Sequence, residues 1–307
     1  MVFEVTILGT SSAMPGWGRN MSAQLVNYEQ NLFLIDCGEG TQHQLLKYKA
    51  KMNQIRHIFI SHLHGDHYLG LAGLLSSMQL QGRTEAMHLY AHRGLADVLT
   101  TQFRVSQGYV RYPLVFHPLE AAHSQLLYNG ETLTVSTLPL DHRIPCCGFL
   151  FRQKLGKQKI IKALLPDDLP IAGIIALKNG QDVVHNDRIL RSQDLTQPPK
   201  PPLAYAYCSD TKFNQALVPY ISGVDLLYHE ATFADDLAAR AEETHHSTAR
   251  QAATIAQLAG AKQLLLGHFS ARYRELSPLL EEAREVFAGA HLAVEGQTFR
   301  VNHPLPI

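Results

Sequence analysis

Apolar positions along this chain follow two alternating rhythms. Short apolar or alternating runs at residues 2–8, 23–28, 32–35, 55–60, 87–91, 132–138, 204–208, 226–228 and 263–266 have strand character. Between them, apolar residues return every three or four positions at 41–49, 67–78, 95–103, 247–258 and 278–287, which predicts helices. Residues 9–18 form a Gly/Ser/Pro-rich loop, and Glu29-Gln30-Asn31 stand at the turn of a hairpin joining 23–28 to 32–35. The run 55–60 is mostly apolar and stops at Ser61, as a buried strand does. Strands and helices alternate throughout, which places the chain in the α/β class or among mixed layered folds. No internal repeat is evident.

Composition narrows the picture only in places. With 307 residues, 46% of them apolar, the chain can bury a sizeable core in one large domain or two smaller ones. Its formal charge is zero, so no global field draws it to nucleic acid or acidic membranes, and any polyanion must be held by local patches. The amino terminus has no basic segment or cleavage site of a signal peptide, and no apolar run is long enough to span a bilayer. Cys37, Cys146, Cys147 and Cys208 form no CxxC pair, and we read them as reduced thiols. The expectation is a cytoplasmic protein without a membrane partner. One segment differs from the rest. Arg152, Lys154, Lys157, Lys159 and Lys162 precede any acid before Asp167, and Pro198-Pro199-Lys200-Pro201-Pro202 follows. This pattern fits an insertion that leaves the globular body and returns through a stiff proline linker. It fits an ordinary solvated surface excursion equally well.

The strongest chemical signal is Ser61-His62-Leu63-His64-Gly65-Asp66-His67, four potential metal ligands within six residues directly after a predicted strand. Imidazole and carboxylate together suit zinc and similar ions. His62 and His64 are spaced to converge on one ion from an extended loop, while Asp66 and His67 can turn toward a second. Further candidates also follow predicted strands, namely His142, Asp210 and His268. Alone, each is more often a satisfied buried histidine or a capping aspartate. Three in one topological position favour a shared site. Asp210 has two oxygens and can bridge a pair of ions, which a histidine cannot.

These residues resemble the metallo-β-lactamase superfamily, in which His-x-His-x-Asp-His is followed by a later His, Asp and His. Within it they are most similar to the tRNase Z family, the endonucleases that trim the 3′ end of precursor tRNA. The resemblance is carried by Arg19-Asn20, by the segment from Asp36-Cys37-Gly38-Glu39 to Gln44, and by Ser209-Asp210-Thr211. It is carried further by His229-Glu230-Ala231-Thr232, His246-Ser247-Thr248 and the segment from His268 to Tyr273. The matches run from about residue 5 to about residue 275. Lactamases, glyoxalases and sulfatases share the His-rich loop, whereas His-Glu-Ala-Thr with His-Ser-Thr is far more specific.

The resemblance implies an αββα sandwich as a single domain over 1–307, with a flexible tRNA-gripping arm at 152–180, two Zn²⁺ per chain and a homodimer. It puts His62, His64 and His142 on one ion, Asp66, His67 and His268 on the other, and Asp210 between them. Asp66 also takes the role of proton acceptor, His246 that of proton donor to the leaving ribose oxygen, and Glu230 that of the acid orienting His246. Arg152, Lys154, Lys157, Lys159 and Lys162 fall where the arm meets RNA. One departure stands out: the family arm carries a Gly-Pro turn, where this chain has Pro170-Ile171-Ala172-Gly173 ahead of Lys178-Asn179-Gly180, and the arm is short. Two rival functions are a small-molecule phosphodiesterase or arylsulfatase on the same fold, which needs no basic arm, and a binding protein with a degenerate site, against which the intact ligand set argues.

Overall fold

Two seven-stranded mixed sheets lie face to face in the computed structural model, which describes residues 2–120 and 123–302. Residues 1, 121–122 and 303–307 of the expected domain lie outside the described residues. The first sheet has the spatial order Thr298–Arg300, Phe3–Gly9, Ala23–Tyr28, Asn31–Ile35, Ile55–Phe59, Met87–Ala91 and Leu114–Pro118. Its pairings are antiparallel as far as Asn31–Ile35 and parallel beyond. The second sheet runs Ala290–Leu292, Leu264–Gly267, Leu226–Glu230, Ala204–Cys208, Cys147–Gln153, Leu133–Pro139 and Leu126–Asn129. There the order is reversed: parallel as far as Ala204–Cys208, antiparallel afterwards.

Three apolar layers account for the stacking. Between the sheets lies an aromatic core that includes Phe33, Phe59, Phe149, Phe151, Tyr205 and Tyr207. Helices Thr41–Lys47, Leu71–Leu80 and Gly94–Val105 cover the outer face of the first sheet through Leu45, Leu74, Leu75 and Leu95. Helices Ala249–Ala259 and Ser277–Val286 cover the second through Ala252, Ile255, Ala256 and Leu279. The fold is therefore an αββα sandwich.

Two local expectations change. The helix expected over 67–78 is two helices, Gly65–Tyr68 and Leu71–Leu80. At the break, the Gly70 amide donates to the Cys37 carbonyl at 3.0 Å. A Cβ on Gly70 would lie 2.2 Å from the Gly38 carbonyl oxygen, so the neighbouring chain sits where a side chain would have to go. The strand Cys147–Gln153 had no clear signature because it is a central strand buried on both faces, and so lacks alternation.

Between Gln153 and Ala204 the chain leaves the second sheet. It forms a small unit with the strand pair Lys159–Ile160 and Thr196–Gln197, the helix Ile171–Lys178 and the hairpin Val183–His185 with Arg188–Leu190. Leu169, Leu177 and Leu195 give this unit a core of its own. Pro170, in the segment lacking the Gly-Pro turn, caps the helix Ile171–Lys178.

Candidate metal centre

Six strands deliver polar residues to one rim of the sandwich. Asp36 follows Asn31–Ile35, Ser61 and the His-rich loop follow Ile55–Phe59, and His142 follows Leu133–Pro139. Asp210 follows Ala204–Cys208, Glu230 ends Leu226–Glu230, and His268 follows Leu264–Gly267. Asp36, Asp210 and His268 take φ of 55°, 59° and 56°, the left-handed region that non-glycine residues seldom occupy and that marks functional turns.

Their side chains converge as two groups. In the first, ligand atoms of His62, His64, His142 and Asp210 lie within 4.8 Å of one another. His62 Nε2 and His142 Nε2 stand 3.0 and 3.1 Å from His64 Nδ1. The second group is Asp66, His67 and His268, with 3.3 Å between the two imidazole Nε2 atoms and 3.5 and 3.4 Å from these to Asp66 Oδ2. Asp210 faces both. Its Oδ1 is 3.8 and 3.9 Å from His62 and His142, while its Oδ2 is 3.1 and 3.3 Å from His67 and His268.

The residues fit a pair of cations on three grounds. The nitrogen separations match the edge of a tetrahedron around zinc, about 3.3 Å for a bond of 2.0–2.1 Å. Four rings have their second nitrogen committed: His62 Nδ1 to Ser61 Oγ at 3.0 Å, His67 Nδ1 to Asp36 at 2.7 Å, His142 Nδ1 to the His245 carbonyl at 3.0 Å, and His268 Nδ1 to Thr232 Oγ1 at 3.0 Å. Each ring is thereby set to offer a lone pair at Nε2. Finally, Asp36, Asp210 and Glu230 are buried and Asp66 nearly so, yet among the described residues no lysine or arginine is ion-paired with any of them. Buried carboxylates require a compensating positive charge.

Beside the cluster stands a second polar group. Glu230 Oε1 accepts from His246 Nδ1 at 3.0 Å and from the Thr211 amide at 2.7 Å, while Oε2 accepts from Thr232 Oγ1 at 2.6 Å and from the Ser247 amide at 3.0 Å. Burial alone would lower the His246 pKa, but the Glu230 carboxylate pushes it up to about 9. The helix Ala249–Ala259 begins just beyond, closed by a reciprocal cap between Thr248 and Gln251. Asp66, His246 and His268 all line an open cavity of about 380 Å³.

Known proteins resemble this chain over nearly its whole length. Ribonuclease Z of Bacteroides fragilis is 46% identical over 295 residues, covering 95% of this chain and 97% of the relative. The chain belongs to the ribonuclease Z family. The crystal structure of human tRNase Z, short form, superposes with a TM-score of 0.71 at 29% identity, covering 98% of this chain and 100% of that one. The metallo-β-lactamase fold protein YhfI of Bacillus subtilis gives a TM-score of 0.69 at 21% identity, with 98% and 100% coverage, and supports the fold alone. A family model described as anti-Pycsar protein Apyc1 matches residues 3–155.

All seven candidate metal ligands thus meet at one rim, with Glu230 and His246 beside them. His229 is buried and donates to the Glu230 carbonyl at 2.8 Å, away from the cluster. The sequence did not assign the outer partners Asp36, Ser61 and Thr232, nor Ala13, whose amide donates to Asp66 Oδ2 at 2.7 Å. The available signal for Asp36 was its place directly after a strand. The basic residues lie elsewhere. Arg152 is half-buried within Cys147–Gln153, Lys154, Lys157, Lys159 and Lys162 are exposed, and none lines the cavity. All four cysteines are buried and free, and no helix among the described residues is long and apolar enough to cross a membrane.

Proposed function

We propose that this member of the ribonuclease Z family is an endoribonuclease that removes the 3′ trailer of precursor tRNA by phosphodiester hydrolysis at two Zn²⁺ ions. The observation that carries the two-ion reading is the division of Asp210, one oxygen toward each ligand group. His62, His64 and His142 would hold one ion and Asp66, His67 and His268 the other, with Asp210 available to both groups. When bound, the ions neutralise phosphate charge and lower the pKa of water.

The chain's own residues supply the rest. Asp66, whose Oδ2 also accepts from the Ala13 amide, accepts a proton from the attacking water. His246 holds a proton for the departing ribose 3′ oxygen, which leaves as a hydroxyl. Glu230 fixes that ring through Nδ1, so that Nε2 is the nitrogen available to the substrate.

Substrate selection is assigned to the arm over 152–180, inserted into a single domain. Arg152, Lys154, Lys157, Lys159 and Lys162 meet tRNA phosphates there, which lets a chain of zero net charge bind RNA. Resemblance to the tRNase Z family supports a homodimer in the cytoplasm. The deciding experiment is mapping the cut on a trailer-bearing tRNA transcript with metal-loaded protein. A cut at the 3′ boundary leaving a 3′-hydroxyl is expected. Hydrolysis of small diesters with no cut in the transcript would instead favour a small-molecule phosphodiesterase.

A further inference from the structure

The loop over residues 10–20 carries a feature that the metal cluster does not require. Trp17, the single tryptophan of the chain, is 59% exposed. Its backbone φ is 55°, which a bulky side chain adopts only when its surroundings impose it. Several contacts do so. The indole Nε1–H donates to the Ala271 carbonyl at 2.8 Å. Gly16 backs onto the same residue, where a Cβ would come within 2.9 Å of the Ala271 Cβ. Arg19 Nη2 donates to the carbonyls of Ser270 and Tyr273 at 3.3 and 2.7 Å. The Arg274 guanidinium sits 5.3 Å from the ring centroid.

The other end of this loop touches the site. Ala13 donates to Asp66, and Met14 and Pro15 line the cavity. Trp17 is four residues from Ala13, at most about 14 Å of chain. The polar edge of the indole is committed to the fold, while much of its apolar surface faces solvent beside a guanidinium, two residues along the chain from Pro15 of the cavity wall. Aromatic rings with arginine bind single-stranded nucleic acid by stacking on bases and attracting the backbone. We infer that Trp17, aided by Arg274, is a stacking platform for an unpaired nucleobase next to the scissile phosphodiester. This rests on the ribonuclease reading above.

The test uses metal-loaded protein, Trp17→Ala and Trp17→Phe variants, a trailer-bearing tRNA transcript, and bis(p-nitrophenyl) phosphate as a small diester. Trp17→Ala should lower kcat/KM on the transcript roughly 5- to 150-fold, the range of one lost base stack. Trp17→Phe should keep most of the activity, and diester hydrolysis should stay unchanged in both. Transcripts made abasic at single positions around the cut should identify one nucleotide whose removal slows the wild type but not Trp17→Ala. The intact transcript should quench Trp17 fluorescence, and that abasic transcript should not. Equal losses on transcript and diester, or additive losses at every abasic position, would overturn the inference and leave Trp17 as a brace for Asp66. If the wild type hydrolyses the diester but cuts no transcript, the ribonuclease reading fails separately. Quenching by a short single-stranded RNA then decides the platform by itself, and its absence overturns it.

Discussion

Asp36 illustrates how one residue can set a site that it does not enter. Its carboxylate accepts from the Ser61 amide and hydroxyl at 2.7 and 2.9 Å, from His67 Nδ1 at 2.7 Å and from the Tyr207 hydroxyl at 2.7 Å. Through Ser61 it also backs His62, so both ligand groups lean on it. The ligands themselves are expected to separate by group. Wild-type protein should contain about two ions per chain, and a strong chelator should abolish activity that zinc or manganese restores. His142→Ala should release close to one ion and retain the other when metal content is measured by mass spectrometry. A metal content near zero in active wild-type protein would sink the two-ion reading. His246 calls for a different measurement. His246→Ala should keep both ions, yet slow transcript cleavage by about 10²–10⁴, the usual contribution of a proton-transfer group. The loss should shrink on a nitrophenyl diester, whose leaving group needs no proton. Equal losses on both substrates would remove His246 from that role.

At the scale of elements, the site depends on how strands end and helices begin. The turns after Asn31–Ile35, Ala204–Cys208 and Leu264–Gly267 hold non-glycine residues at positive φ, each at a cost of about 1–2 kcal/mol. The packed sandwich on both sides offsets that cost. The break between Gly65–Tyr68 and Leu71–Leu80 follows the same logic. There the backbone at Gly70 lies against Gly38, just after Asp36, and this contact seats the loop that carries Asp66 and His67. Gly70→Ala should therefore destabilise the protein by about 1–3 kcal/mol, the typical cost of overpacking. That corresponds to a thermal midpoint several degrees lower. Metal occupancy at Asp66 and His67 should fall before occupancy at His142. An unchanged midpoint would mean that the chain relaxes around the added methyl group without cost.

At the scale of the molecule, the metal cluster and the lysines proposed to meet RNA occupy different parts of the chain. The cluster sits on the rim of the sandwich, whereas Lys154, Lys157, Lys159 and Lys162 are exposed on the stretch that leaves the second sheet. Replacing Lys154, Lys157 and Lys159 with alanine should weaken transcript binding. Each lost phosphate contact should flatten the log–log salt dependence by roughly 0.7–0.9. Small-diester hydrolysis should be unchanged, because that substrate does not reach the arm. A parallel fall in both activities would reassign the segment to fold or assembly. No change in either would place tRNA elsewhere, for example along Arg19, Arg272 and Arg274.

The division between what was legible and what was not follows the range of the interactions. Strand and helix periodicity is local, so most elements were readable, as was the His62–His67 loop, whose ligands lie within six residues. Candidate ligands farther along could be picked out because each follows an apolar run that ends at a polar residue. Periodicity failed where burial is two-sided, as at Cys147–Gln153, and where one apolar face runs across two helices, as at Gly70. What each buried polar group finds as a partner was settled only by folding. His67 meets His268 across 201 positions, and Tyr207 reaches Asp36 across 171. Hydrophobic pattern determines that such residues are buried, but the direction of a side chain depends on the packing of two sheets against each other. The facing of Asp210 toward both groups, the support from Asp36, and the seat of Trp17 on Ala271 therefore belong to the tertiary structure.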